Sequence, residues 1–245
     1  MRAAFFTGFI LTVAFSFAQN YVAGGVLAYH GNAYERCISD LNKALANQSG
    51  MSTDIRAKAY FYRGMAKAKI HSQSPGATIL GEDPVASTLN DLARARTLDA
   101  QWASRSDAEL NSMLRELRAG VEREYNRAQT LAPKEGRPIY SRSIDRLQIY
   151  LDVRNDYPAR LLLAKLYEAY GDVYFYMAED GDPVQVQRQY LSHYSRAIIH
   201  YEEALRIQGE GTKELLFSLE TLSSRIGDKK REARYKNMAS QLDDQ

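Results

Sequence analysis

The sequence predicts an all-α chain of antiparallel helical hairpins stacked into a solenoid. Three observations carry that prediction. Four segments share one pattern: Cys37-x₃-Leu41-x₂-Ala44, Thr88-x₃-Leu92-x₂-Ala95, Val121-x₃-Tyr125-x₂-Ala128 and Ala197-x₃-Tyr201-x₂-Ala204. Positions i, i+4 and i+7 fall on one face of a helix, so each segment presents a small or medium residue, a large one and an alanine to the same neighbour. Small residues let a second helix approach, and the large one fills the space beside it. Secondly, nearly everything after residue 20 has helical periodicity, without the Val-Ile-Thr alternation of strands. Thirdly, proline and glycine gather at junctions: Gly50, Pro75-Gly76, Pro133 to Pro138, Pro158, Gly181 to Pro183, Gly209 to Gly211 and Gly227. They punctuate the chain into about eleven helices.

The elements follow in order. Residues 1–18 read as an export leader. Arg2 supplies a positive start, Phe5 to Phe17 is apolar apart from Thr and Ser, and Ser16-Phe17-Ala18 offers small residues for cleavage before Gln19. The run is too short to span a bilayer, which takes about 20 apolar residues. Removing the leader lowers the formal charge from +2 to +1. Both signs are interspersed and no basic block occurs, so nucleic acid and anionic lipid are not expected partners. Cys37 is the only cysteine, which excludes an internal disulfide. Its place in the recurring pattern makes it a buried small residue rather than a reactive thiol.

Residues 19–135 are expected to form hairpins, the second carrying an inserted loop at 71–84. Residues 136–158 form a bridging helix (Ile144, Leu147, Leu151), 159–209 a further hairpin with an inserted loop at 178–184, and 210–245 a terminal hairpin with a polar outer face. Both insertions end in the same peptide, Asp83-Pro84-Val85 and Asp182-Pro183-Val184. An Asp N-cap followed by Pro at the first helical position is a strong helix start.

These residues resemble the tetratricopeptide repeat, a 34-residue helix-turn-helix unit with the pattern W-x₂-L-G-x₂-Y … A-x₃-F … P, here of an exported bacterial type. Tyr21, Gly25, Tyr34, Leu41 and Ala44 match in the first unit, with Cys37 in place of Ala. Tyr60, Gly64, Leu92 and Ala95 match in the second, with Thr88 for Ala and Ala100 for Pro. Tyr125, Ala128 and Pro133 match the second helix of a third unit, whose first helix has Glu109 where Gly is usual. Tyr167, Tyr170, Gly171, Tyr174, Ala197, Tyr201 and Ala204 make the fullest match. Counting from the glycines, the second unit holds twelve extra residues before Thr88 and the last holds fourteen before Ala197.

The resemblance implies a right-handed solenoid and a non-catalytic scaffold or adaptor of the periplasm or cell envelope. Its concave groove would bind a protein or peptide segment. By that analogy the groove is lined by Lys58, Phe61, Met65 and Lys69 in the second unit, and by Lys165, Glu168, Asp172, Phe175 and Tyr176 in the last. Aromatic and Met side chains among charges suit such a surface. The insertions could equally fill it. The Lys/Asn arrangement by which some members clamp a terminal carboxylate does not occur at these positions.

No catalytic or cofactor motif is present: no HExxH, GxSxG, P-loop, GxGxxG or paired-cysteine metal site. His193 and His200 lie seven apart on one face, which would bind a metal only with a third ligand from elsewhere, so both read as ordinary surface or packing residues and no metal or cofactor is expected. The alternative class is a helical envelope enzyme or small-ligand-binding protein with its site under the two Asp-Pro-Val loops. Self-assembly by stacking between copies is a third outcome that the sequence leaves open.

Overall fold

The computed structural model describes residues 18–102, 107–177 and 183–243, of which all the regular structure is helical and none is strand. Most of the expected leader and residues 178–182 of the expected second insertion lie outside the described residues. The helices are α1 (18–30), α2 (Tyr34–Ala46), α3 (Thr53–Gln73), α4 (Pro84–Leu98), α5 (Asp107–Ala128), α6 (Pro133–Val153), α7 (Tyr157–Tyr176), α8 (Pro183–Gln208), α9 (Lys213–Arg225) and α10 (Lys229–Asp243). Among the described residues, no helix is long and apolar enough to cross a membrane. The chain divides into two units, Met1–Leu117 and Arg118–Gln245, and the division falls inside α5.

In the first unit, α1 turns into α2 through Asn32, whose φ of 59° is a left-handed conformation that Asn tolerates better than most side chains. α2 buries Cys37, Ile38, Leu41, Ala44 and Leu45, one face of a 3.6-residue period. A Cβ on Gly25 would lie 2.6 Å from Leu41 Cγ, so the small-against-large pairing that the pattern predicts is present here. α3 packs against both α2 and α4 and buries residues on nearly every side, from Ala57 to His71. Its Gly64 repeats the pairing, since a Cβ there would lie 2.9 Å from Leu92 Cδ2 of α4. Thr88 can occupy a small-residue position because its hydroxyl donates to Pro84 O at 2.7 Å within the same helix, so no polar atom is stranded. The Asp83 side chain accepts from Ala86 N at 3.0 Å and Pro84 opens α4, as the peptide predicts.

Cys37 is fully buried and its thiol donates to Tyr62 O at 3.7 Å. Burial, reinforced by the Asp40 charge, pushes the thiol up to about 12. The thiolate is the reactive form. We therefore expect Cys37 to resist a thiol reagent such as DTNB at pH 8 in the native protein and to react fully in denaturant. Rapid native labelling would contradict this burial.

The second unit is built from α6 to α10 on the C-terminal half of α5. Glu124 of α5 accepts from Ser143 Oγ at 2.9 Å and from Arg146 at 3.3 Å on α6. The 136–158 segment is therefore no mere bridge. Its helix starts at Pro133 and is the hairpin partner of α5. The expected first helix of a third repeat is not separate either, because residues 107–128 form one helix without a turn. Gly120 alone does not break it, since helix interiors accept an isolated glycine at a cost of about 1 kcal/mol. Asp156 caps α7 by accepting from Ala159 N at 3.0 Å, and its second oxygen takes the Tyr150 hydroxyl at 2.6 Å.

α7 and α8 pair over a long interface, but in a register the pattern does not predict. A Cβ on Gly171 would lie 2.6 Å from the Tyr194 ring, whereas the sequence match sets Tyr201 in that place. The extra segment thus amounts to seven residues rather than fourteen. The two alignments differ by two helical turns, and both put a tyrosine on the same face. The second insertion is also not a loop through 184, because Pro183 already begins α8 and part of the added length extends that helix. The first insertion likewise starts later than expected. α3 runs to Gln73, and residues 74–83 connect it to α4 through a short turn, Thr78–Leu80, that buries Leu80.

At the C-terminus, Gly227 adopts φ 79° between α9 and α10. α9 packs against α8 and α10. α10 buries Tyr235, whose hydroxyl donates to Glu202 of α8 at 2.5 Å. The rest of α10 is mostly exposed and polar.

Candidate functional site

The nine residues expected to line a groove separate into two groups. On α3, Phe61 (6% exposed) and Met65 (5%) are core residues. The Phe61 ring lies 4.7 Å from Trp102 and 5.2 Å from Tyr62, and only Lys58 and Lys69 are half-exposed. The reading of Phe61 and Met65 as an open binding surface is therefore corrected. Packing on several sides of α3 leaves no free apolar face there. A 510 Å³ hollow does open beside the first insertion, between the α1–α2 turn and Gln73 to Ala77. Among its described lining residues Glu35 is the one carboxylate.

On α7 the other five residues remain at the surface to differing degrees. Lys165, Glu168, Asp172 and Tyr176 recur at intervals of three, four and four residues and so share one face. Lys165 is exposed, Tyr176 is 67% exposed, and the Asp172 side chain is 34% exposed. Phe175 (50% exposed) lies off this strip, edge-on to Tyr190 of α8 at 5.5 Å.

Both carboxylates are held by tyrosines that sequence reasoning did not assign to the site. Tyr201 donates to Glu168 Oε2 at 2.6 Å, and Tyr194 donates to Asp172 Oδ1 at 2.6 Å. Arg225 from α9 also donates to Asp172 Oδ1 at 2.6 Å, and its guanidinium stands 5.2 Å over the Tyr194 ring. Burial raises the Glu168 carboxyl above its ordinary value. The Tyr201 hydrogen bond opposes that rise and the Asp172 charge adds to it. Burial, then the Glu168 charge, pushes Tyr125 of α5 up to about 12. Burial and the Asp172 charge raise Tyr140 of α6.

Two hollows flank the strip within this unit. One, of 330 Å³, is bounded by Tyr125, Asn126, Leu161 and Lys165. The other, of 380 Å³, is bounded by Gln129, Pro133, Tyr140, Asp172 and Tyr176. Tyr125 and Tyr201 were visible in the recurring segments, but only as packing residues. Nothing in the sequence marks Tyr140 or Arg225.

The paired histidines belong to an aromatic layer behind this face. His193 lies 4.4 Å from the Tyr170 ring and stacks on Tyr174 at 5.3 Å. His200 stacks on Tyr167 at 5.5 Å and meets Arg160 Nη1 at 2.9 Å through Nδ1. Among the described residues no group of three His, Cys, Asp or Glu side chains could hold a metal ion. Burial lowers both imidazoles to about 4, helped by Arg196 and Arg137 for His193 and by Arg160 and Arg196 for His200.

The unfolded chain takes up these protons near the ordinary value of 6.5, so the stabilisation is complete above that pH and is lost as pH falls toward 4. Glu168 acts in the opposite sense, since its burial penalty eases as it protonates. We expect the urea midpoint to drop between pH 7 and pH 5. It should drop less in a His193→Phe/His200→Phe variant that keeps the ring packing. An equal drop in the variant would remove the histidines as the cause.

No protein-family model matches the chain, and no curated protein matches it.

Proposed function

We propose that this protein is a non-catalytic scaffold, a tetratricopeptide-like array of helical hairpins exported to the periplasm or envelope, which binds a protein or peptide segment. The observation that carries the reading is the α7 strip: ordered carboxylates and an exposed Tyr176 between two hollows of 330 and 380 Å³. The strip combines exposed aromatic area with preset polar acceptors, which is the composition of a recognition surface. The chemistry present supports binding better than catalysis, because each carboxylate is already tied to a tyrosine. The Gly25–Leu41 and Gly64–Leu92 crossings support the repeat reading for the first two hairpins.

The test is affinity capture from envelope extract with the full-length chain, followed by cross-link mapping. A captured protein that cross-links to α7 and is lost with a folded Tyr176→Ala variant supports the proposal. Capture that survives this variant, or cross-links elsewhere, refutes the placement. Phe61→Ala is unsuitable as a groove variant because it opens a hole in the core.

A further inference from the structure

We infer that the ring layer behind the α7 strip is a second binding surface, one that takes an acidic peptide segment through Arg137, Arg160 and Arg196; it goes beyond the strip and does not depend on it. Two helices carry the same spacing. Tyr167, Tyr170 and Tyr174 of α7 and His193, Arg196 and His200 of α8 each recur at i, i+3 and i+7, so each set holds one face. The structure lays these faces together: His200 stacks on Tyr167 at 5.5 Å, Tyr167 on His193 at 6.1 Å and His193 on Tyr174 at 5.3 Å. Arginines sit along this row. Arg160 meets His200 at one end. The Arg196 guanidinium stands 5.6 Å over the Tyr167 ring, and that of Arg137, from α6, stands 5.0 Å over the Tyr174 ring at the other end.

Among the described residues none of the three arginines bonds a carboxylate; Arg160 donates instead to Asn155 Oδ1 at 2.7 Å. Glu203 acts on His200 and Arg160 from that end, but Arg206 takes both of its oxygens, at 2.9 and 2.7 Å. Burial and these same arginines keep both imidazoles neutral at pH 7, so the row carries its charge on the guanidinium groups. That charge is in excess, and carboxylates brought from outside complement it. A guanidinium lying over a ring loses little further freedom on binding and can grip a carboxylate with two bonds. Arg137 and Arg196 are exposed and Arg160 is half-buried, so all three can be reached. The rings themselves are covered, Tyr167 to 3% and Tyr174 to 7% exposure. No open face is left there for a base to stack on, which favours an acidic peptide over a nucleic acid. Seven residues of helix separate the two histidines by about 10 Å, so about four residues of extended chain reach from one end of the row to the other.

The experiment is selection of random 12-residue peptides on the full-length protein at low salt, then fluorescence-anisotropy titrations with individual labelled peptides and with a labelled single-stranded oligonucleotide. We expect a class of selected peptides that carries two or more Asp or Glu residues and binds more weakly as salt rises. Replacing those residues by Asn or Gln should weaken binding about tenfold, the scale of one partly desolvated charge pair. The protein variant Arg137→Gln/Arg196→Gln changes two exposed side chains and should weaken it as much, while Tyr176→Ala should leave it unchanged. Arg196→Lys keeps the charge but not the planar fork, and should weaken it only in part. Acidic peptides that bind the double arginine variant as well as wild type, or a selection that yields no acidic class, overturn this inference. Neither result touches the α7 strip, which is read separately through Tyr176→Ala. An oligonucleotide that outcompetes the acidic peptides and is lost with the same double variant also overturns it, because the surface would then be one for phosphates.

Discussion

Replacing Asp91 by alanine is expected to destabilise the first unit by about 3–5 kcal/mol, the usual cost of removing one member of a buried ion pair. Asp91 is 3% exposed and sits on the inner face of α4. Arg63 grips it with two bonds, Nε to Oδ2 at 2.9 Å and Nη2 to Oδ1 at 2.5 Å. Lys67, one turn further along α3, reaches Oδ2 at 2.8 Å and donates to Ser87 Oγ at 2.7 Å. Two cations therefore share one buried anion. Burial lowers the Lys67 pKa, and the Asp91 charge opposes that fall. Without Asp91 both cations lose their counter-charge, and Lys67 is driven further toward its neutral form.

A urea melt of Asp91→Ala, set beside the triple variant Arg63→Met/Asp91→Leu/Lys67→Met, separates lost pairing from lost volume. The triple should recover much of the single variant's loss, since apolar replacement of a whole buried ionic group is often close to neutral. A single variant within about 1 kcal/mol of wild type would show that the triad is solvated in solution.

Gly171→Ala and Gly120→Ala are expected to change stability in opposite directions. Both glycines lie inside helices, where alanine is intrinsically better by about 1 kcal/mol. At Gly120 the nearest atoms to a new Cβ are the ends of the Arg146 side chain at 3.7 and 3.8 Å, so that gain should be realised. At Gly171 the Cβ would stand 2.6 Å from two ring atoms of Tyr194. That ring cannot retreat without breaking its bonds to Asp172 and Arg225. Overpacking of this kind costs about 1–3 kcal/mol. Denaturant midpoints of the two variants decide the matter. A stabilised Gly171→Ala would mean that α7 and α8 are not packed in this register.

Local chemistry was legible along the chain because it depends on few neighbours. The Asp83-Pro84 start of α4, the burial of Cys37, the glycine–leucine crossings at Gly25 and Gly64 and the all-helical class follow from caps, volumes and periodicity. The Gly171 register was not legible, because a shift of seven residues returns a helix to the same face, and Ala197-x₃-Tyr201 imitates the true crossing at Tyr194. The unbroken α5 was not legible either, because a repeat template looks for a turn that the local sequence does not contain.

The sequence alone thus determined the all-helical class, the Asp83-Pro84 start of α4 and where the first hairpins touch, but its groove face on α7 (Lys165, Glu168, Asp172, Phe175 and Tyr176) included Phe175, which lies off the strip against Tyr190. The tertiary structure decided which of the expected groove residues remain open. Phe61 and Met65 are buried because α3 packs against helices on both sides, with Trp102 over Phe61. The α7 strip acquired its character from residues far away in the chain: Tyr125 from α5, Tyr140 from α6, Tyr194 and Tyr201 from α8 and Arg225 from α9. Periodicity fixes the direction of a side chain relative to its own helix axis, whereas the ionisation and exposure of a carboxylate depend on what the other helices bring against it.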